Sequence, residues 1–297
     1  MISWARLISL ADKYGDSEDL LGKWFEANRE KREDVFLATK FGMKSKPGGE
    51  PGLLIDSSPD YCHKSLEKSL KRLGQEYVDL YYVHRLDKIT PIEKTIEAMA
   101  ELKNAGKIRY LGLSECSAES LRRAHAVSPI TCIQVEYSAF CLAIESPQTS
   151  LLEVARELGV AIVAYSPMGN GFLTGKLRIP GDFTKDGDLR AALPWLKEEN
   201  LAKNLAVVDK ITEIAKAKGE NISTAQLALA WLLAQGDDIF AIPGTRRIEH
   251  MVENLDSMSI KVSAEEEKVV RVLSQAVVGG RMQARSGYDF ADTPPLW

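Results

Sequence analysis

Three side chains able to hold or move a proton recur at comparable places in the chain: Tyr14 in SLADKY, Lys40 in FLATKFG and His84 in LYYVHRLD. Each lies at, or just past, the end of a short apolar run. Taken singly, each also reads as a capped loop tyrosine, a surface lysine or a core histidine. Three such groups at the same end of successive strands point to acid–base chemistry, because α/β barrels build their active sites at that end.

Nucleotide-binding patterns are the next chemistry to look for. GNGFLTG (169–175) follows a strand-like run, but its spacing is GxGxxxG and not the GxGxxG of a dinucleotide fold. GFLTGK lacks the first glycine and the Ser/Thr of a phosphate loop. IPGTRRIEHMVENL (242–255) is stronger. A turn leads from an apolar run into a helix opened by two arginines, which the helix dipole disfavours unless an anion offsets them. Backbone N–H groups, the Thr245 hydroxyl, Arg246 and Arg247 could meet a phosphate there. A solvated turn with ordinary surface arginines is an equal reading of the same residues.

The elements that would position these groups are legible. Apolar runs at 4–11, 35–39, 77–83, 108–114, 131–137, 160–166 and 238–244 are bounded by turn residues and do not alternate. That pattern suits strands of a parallel sheet buried on both faces. Amphipathic segments intervene. Ser58 and Pro59 can start a helix that ends at Gly74, Thr90 and Pro91 one that ends at Gly106, and TSLLEVARELG stops at Gly159. The result is a repeated strand–helix unit, seven strands where a closed (β/α)8 barrel needs eight. The Gly/Pro-rich stretches 43–58 and 169–188 are expected to be long loops after strands, where barrels carry function.

Composition narrows the class. The chain has 297 residues, 45% hydrophobic, enough for one sizeable core, and 1–297 reads as a single domain. A net charge of −4 without a basic face argues against nucleic acid. No apolar run approaches the roughly 20 residues of a membrane span, and the N-terminus does not read as a signal peptide, so a cytoplasmic protein is expected. Cys62, Cys116, Cys132 and Cys141 form no CxxC pair and read as reduced, buried thiols. No metal is called for. Oligomeric state is not legible.

In order along the chain, ADKYGDSEDLLG, FLATKFG, SLKRLGQEYVDLYYVHRLD, GKIRYLGLSE, IQVEYS, VAYSPMGNGFLTGK and IPGTRRIEHMVENL resemble the aldo-keto reductases, most of all the aryl-alcohol and pyridoxal reductase-like members of fungi and plants. The resemblance implies a (β/α)8 barrel that binds NADP(H) without a Rossmann fold and reduces a small-molecule aldehyde or ketone. It implies that Tyr14 is the general acid, with the Lys40 ammonium making a phenol of pKa about 10 more acidic, and that His84 orients the carbonyl. Ser114 and Gln134 would hold the nicotinamide carboxamide and Tyr165 would stack on its ring. Ser166, Met168, Gly169 and Leu173 would line the pyrophosphate. Gly244, Thr245 and Arg247 would take the 2′-phosphate, and Glu253 and Asn254 would reach the adenine.

Three features depart from the family pattern. Family members carry an aspartate five residues before the tyrosine, paired with the lysine; here Ser9 stands there. Ser114 is followed by Glu115 where many members have asparagine. Family members also carry a first strand and helix ahead of this point, so that part is expected to be missing or replaced. Loss of the aspartate would weaken the pull of Lys40 on Tyr14 and impair turnover. Two alternatives follow: a non-catalytic NADP(H)-binding barrel with a regulatory or assembly role, and a lyase or isomerase using the same pocket. Trp195, Phe140, Tyr288 and Trp297 are equally read as substrate walls or as core and surface residues.

Overall fold

The computed structural model describes residues 7–9, 15–46, 52–183, 188–281 and 289–296. Tyr14, Tyr288 and Trp297 lie outside them. The chain divides into two compact units: Met1–Gln134 with Leu151–Ala161 and Tyr288–Trp297, and Val135–Ser150 with Ile162–Gly287.

The first unit is built on parallel strands. β1 (Leu7–Ser9), β2 (Phe36–Phe41), β5 (Val78–Val83), β6 (Ile108–Ser114) and β7 (Cys132–Glu136) pair in that order. The six residues of β5, VDLYYV, are all buried, as expected for a strand covered on both faces. Helices α1 (Ser17–Ala27), α2 (Pro59–Leu73), α3 (Ile92–Asn104), α4 (Ala118–Val127) and α5 (Leu151–Glu157) follow or link these strands. In α2 the Ser58 hydroxyl accepts from Tyr61 N, Pro59 opens the first turn, and the Gly74 N–H returns to the Leu70 and Lys71 carbonyls. Between β2 and α2 the expected long loop is instead a short antiparallel hairpin, β3 (Met43–Ser45) with β4 (Leu53–Ile55).

Two buried carboxylates pin this unit. Thr39 Oγ1 donates to Glu18 Oε1 (2.8 Å), and Arg72 pairs with Glu18 (3.2 Å), which ties α1 to β2 and α2. At the start of β5, Asp79 accepts from Leu37 N (2.9 Å) and pairs with Arg32 (2.9 Å) and Arg109 (2.8 Å). Both guanidinium carbons lie 4.2 Å from the Tyr77 ring centroid.

In the second unit β8 (Ala161–Tyr165) pairs parallel with β9 (Ile239–Ala241). Helices α6 (Glu198–Lys218), α7 (Thr224–Leu233), α8 (Ile248–Asp256) and α9 (Ala264–Gln275) pack around them. α7 is apolar on all sides (TAQLALAWLL) and has eight buried residues, Trp231 among them. Ser223 with Gln226, and Ser263 with Glu266, form reciprocal capping boxes that fix the starts of α7 and α9.

Each of the seven apolar runs thus overlaps a parallel strand, the first contracted to Leu7–Ser9, the second extended to Phe41 and the last contracted to Ile239–Ala241. The four cysteines are buried free thiols. Among the described residues no helix is long and apolar enough to cross a membrane.

Candidate active site

In the first unit, strand register brings the candidate residues onto one face. Lys40 pairs with Tyr82, Tyr82 with Gly112, and Gly112 with Cys132. In-register neighbours on parallel strands point to the same side. Gly112 is what lets this row pack: a Cβ there would lie 2.5 Å from the Tyr82 ring. The ring occupies that space, and its hydroxyl lies 3.2 Å from Cys132 Sγ. Burial pushes the Tyr82 phenol well above its usual range and the Cys132 thiol up to about 12, so both stay neutral. Lys40 is 1% exposed, with Nζ 5.5 Å from the Tyr82 ring centroid. The lysine is therefore no surface residue.

One pleat further toward the strand ends come His84, Ser114 and Gln134. His84 and Ser114 lie two residues beyond Tyr82 and Gly112, and Ser114 is in register with Gln134. All three are buried. Ser114 Oγ accepts from Arg85 Nη1 (3.1 Å), which leaves its own proton to donate. Gln134 Nε2 is buried without a hydrogen bond of good geometry, although its amide bears on the Tyr82 hydroxyl, so a ligand acceptor would complete it. Glu115 follows with a left-handed backbone (φ 55°); its N–H donates to the Gln134 carbonyl (3.1 Å) and its carbonyl accepts from Ala291 N (2.9 Å). Asparagine adopts that conformation more readily than glutamate, which gives a local reason for asparagine at this place. Ser9 is in register with Ala38, two residues before Lys40 on β2.

In the second unit a cleft of about 520 Å³ opens beyond the ends of β8 and β9. Ser166 and Met168 line it after β8, and Gly244 and Thr245 after β9. Glu253 and Asn254 of α8 also line it. The Ser223 hydroxyl, donating to Glu253 Oε1 (2.5 Å), holds that carboxyl below its usual range, with help from His250 at 3.0 Å. Glu253 thus offers a fixed anionic acceptor, suited to an amino group and not to a phosphate. Gly169 and Leu173 are buried and are not part of the lining.

Arg247 also stands apart from that lining. It caps α8, its side chain is 68% exposed, and it pairs with Glu249 at 3.3 Å. Thr245 Oγ1 accepts from Arg247 N (3.1 Å) and so shapes the turn. Two cations that sequence reasoning missed do line the cleft: Lys176 and Arg190, the latter bound to Asp188 at 2.6 Å. Lys176 closes GNGFLTGK, and a lysine directly after a glycine-rich turn was the available signal. Arg190 sits in the 176–195 stretch, where nothing in the spacing marked it.

Trp195 and Phe140 resolve as core residues, 2% and 6% exposed. Tyr165 is half-buried at the end of β8, and its hydroxyl receives a hydrogen bond from Arg281 Nη2 (3.4 Å).

The family model described as "Aldo/keto reductase family" matches residues 5–274. The chain is 47% identical over 287 residues to "Aldo-keto reductase yakc [NADP(+)]" of Schizosaccharomyces pombe, covering 95% of this chain and 83% of that relative. It is 48% identical to "Aldo-keto reductase str7" of Strobilurus tenacellus, covering 96% and 82%. Among solved structures it is similar to the glycerol dehydrogenase AKR11B4 from Gluconobacter oxydans, with a TM-score of 0.81 and 30% identity over 98% of this chain and 84% of that one. With parallel strands that end in a buried Lys/His/Ser/Gln face, and with this similarity along nearly its whole length, the chain belongs to the aldo/keto reductase family.

Proposed function

We propose that the protein is an NADPH-dependent reductase that converts a small aldehyde or ketone to an alcohol. The observation that carries this reading is the incompletely bonded Gln134 amide beside Ser114, on the same face as Lys40 and His84. A nicotinamide carboxamide supplies the groups that pair lacks: an acceptor for Gln134 Nε2 and for the Ser114 hydroxyl. NADPH, when bound, supplies the hydride. Tyr14 gives its proton to the carbonyl oxygen, Lys40 keeps the phenol acidic, and His84 orients the carbonyl. Tyr165 stacks on the nicotinamide ring. Ser166 and Met168 form the pyrophosphate side, where Lys176 and Arg190 add charge, and Gly169 and Leu173 support that turn from beneath. Gly244, Thr245 and Arg247 take the 2′-phosphate, and Glu253 and Asn254 take the adenine. The same reading assigns residues 1–297 to one (β/α)8-type domain acting in the cytoplasm.

NADPH absorbance followed with a panel of aromatic aldehydes, beside quenching of protein fluorescence by NADPH, tests this directly. Turnover with saturable quenching is the expected result. Neither would end the reading.

Cofactor choice gives a second expectation. An exposed pair such as Arg247–Glu249 is worth about 0–1 kcal/mol, so the guanidinium is easily released to a phosphate. Arg247→Ala should weaken NADPH binding by about 1–3 kcal/mol, the loss of one charge-assisted bond, and leave NADH nearly unchanged. Equal losses for both cofactors would place the 2′-phosphate elsewhere.

Ser9 favours a second reading, an NADP(H)-binding protein whose chemistry is slowed or lost. Position 9 is level with Ala38, one pleat below Lys40. Ser9→Asp should therefore add a carboxylate on the Lys40 side of the strands and speed single-turnover NADPH oxidation. A variant no faster than wild type would show that the serine does not limit the rate. Tight NADPH binding without turnover in either protein would favour the regulatory reading.

A further inference from the structure

Within the second unit, the segment after α9 is held by two bonds to one side chain, which also grips residue 195. Asn204, fully buried in α6, accepts from Val278 N (3.0 Å) and donates to the carbonyls of Val278 (2.9 Å) and Trp195 (2.9 Å). Gly279 then passes against the backbone of 194–195. It has a φ of 114°, and a Cβ there would lie 2.7 Å from Pro194 C and Trp195 N. Neither the conformation nor the space admits a side chain. Two residues later Arg281 arrives, 9% exposed. Its Nε donates to Glu136 Oε2 (3.0 Å), and its Nη2 donates to the Tyr165 hydroxyl (3.4 Å). Glu136 is itself 2% exposed and ends β7, as Tyr165 ends β8.

We propose that Arg281 is a positioning residue for the reductase reaction: anchored on Glu136, its guanidinium fixes the Tyr165 ring in the orientation from which that ring stacks on the nicotinamide. The inference rests on the stacking role assigned to Tyr165 above. A planar fork can serve two acceptors at once in a fixed geometry, and a lysine in its place can satisfy Glu136 but cannot also hold the phenol. The buried ion pair supplies the rigid anchor. The bond to the hydroxyl converts that anchor into control of ring tilt, and hydride transfer is sensitive to small errors in approach.

The test compares wild type, Arg281→Lys, Tyr165→Phe and the double variant. Measurements are single-turnover oxidation of bound NADPH by an aromatic aldehyde, NADPH affinity by fluorescence quenching, emission of bound NADPH, and thermal unfolding. Each single variant should slow the turnover by about tenfold while affinity stays within about threefold. The double variant should be no slower than the slower single variant, because both changes cut the same link. Rates that multiply, or an Arg281→Lys protein that loses only melting temperature, would overturn the proposal. If wild type binds NADPH without turning over, the reductase reading fails separately. The emission of bound NADPH then carries the test: it should shift equally in both single variants and no further in the double. Unchanged emission would overturn the positioning role, and a wild type that does not bind NADPH would overturn both.

Discussion

Tyr14→Phe should lower turnover by about 10²–10⁴-fold, the usual contribution of one general acid, and leave NADPH affinity nearly unchanged. The phenylalanine keeps the ring and removes only the proton to be delivered. The size of the effect depends on Lys40 remaining charged where it stands, 1% exposed with Nζ above the Tyr82 ring. Desolvation works against an ammonium in such a place, and the face of an aromatic ring offsets part of that penalty. The neutral Tyr82 phenol and Cys132 thiol add no competing anion. Stopped-flow NADPH oxidation separates this step from cofactor release, which can limit the steady-state rate. Full activity in the variant would remove Tyr14 from the mechanism.

Asp79→Ala should destabilise the protein by about 3–5 kcal/mol, the loss expected when one partner of a buried ion pair is removed. Asp79 is 3% exposed and serves three partners: Leu37 N, Arg32 and Arg109. Its removal leaves the Arg32 charge, on a side chain only 11% exposed, with just the Val35 and Tyr77 carbonyls, and leaves a buried N–H of β2 without its acceptor. Arg109 is the contrasting control. With a side chain 54% exposed, Arg109→Ala should lose only about 0–1 kcal/mol of pairing. Urea unfolding midpoints at unchanged slope are the measurement. A loss below that of the control would mean that the carboxylate is solvated. These residues sit where β2 and β5 begin, the end of a parallel strand that serves stability more than chemistry. Activity per folded molecule should survive.

The sequence by itself determined the strand–helix repeat, because unbroken apolar runs can only be buried strands when helices with clear caps separate them. Ser58, Pro59 and Gly74 marked α2 almost to the residue. It also placed Lys40 and His84 at the ends of strands, and the family resemblance added Ser114 and Gln134, but only strand register brought the four onto one face. It failed where local composition and local structure diverge. The Gly/Pro-rich 43–58 stretch contains a hairpin, since three-residue strands are too short to leave a pattern. Tertiary structure decided everything that depends on distant partners. Burial turned Lys40 from an apparent surface residue into a core one. The left-handed backbone at Glu115 is set by Gln134 and Ala291, far away in sequence. Lys176 and Arg190 meet in one cleft although the residues between them show no spacing that predicts it. Arg281 reaches Glu136 across 145 positions of chain, and no pattern in GGRMQAR announces that contact. Caps and periodicity are written in neighbouring residues, whereas a charge finds its partner only once the chain has closed around both.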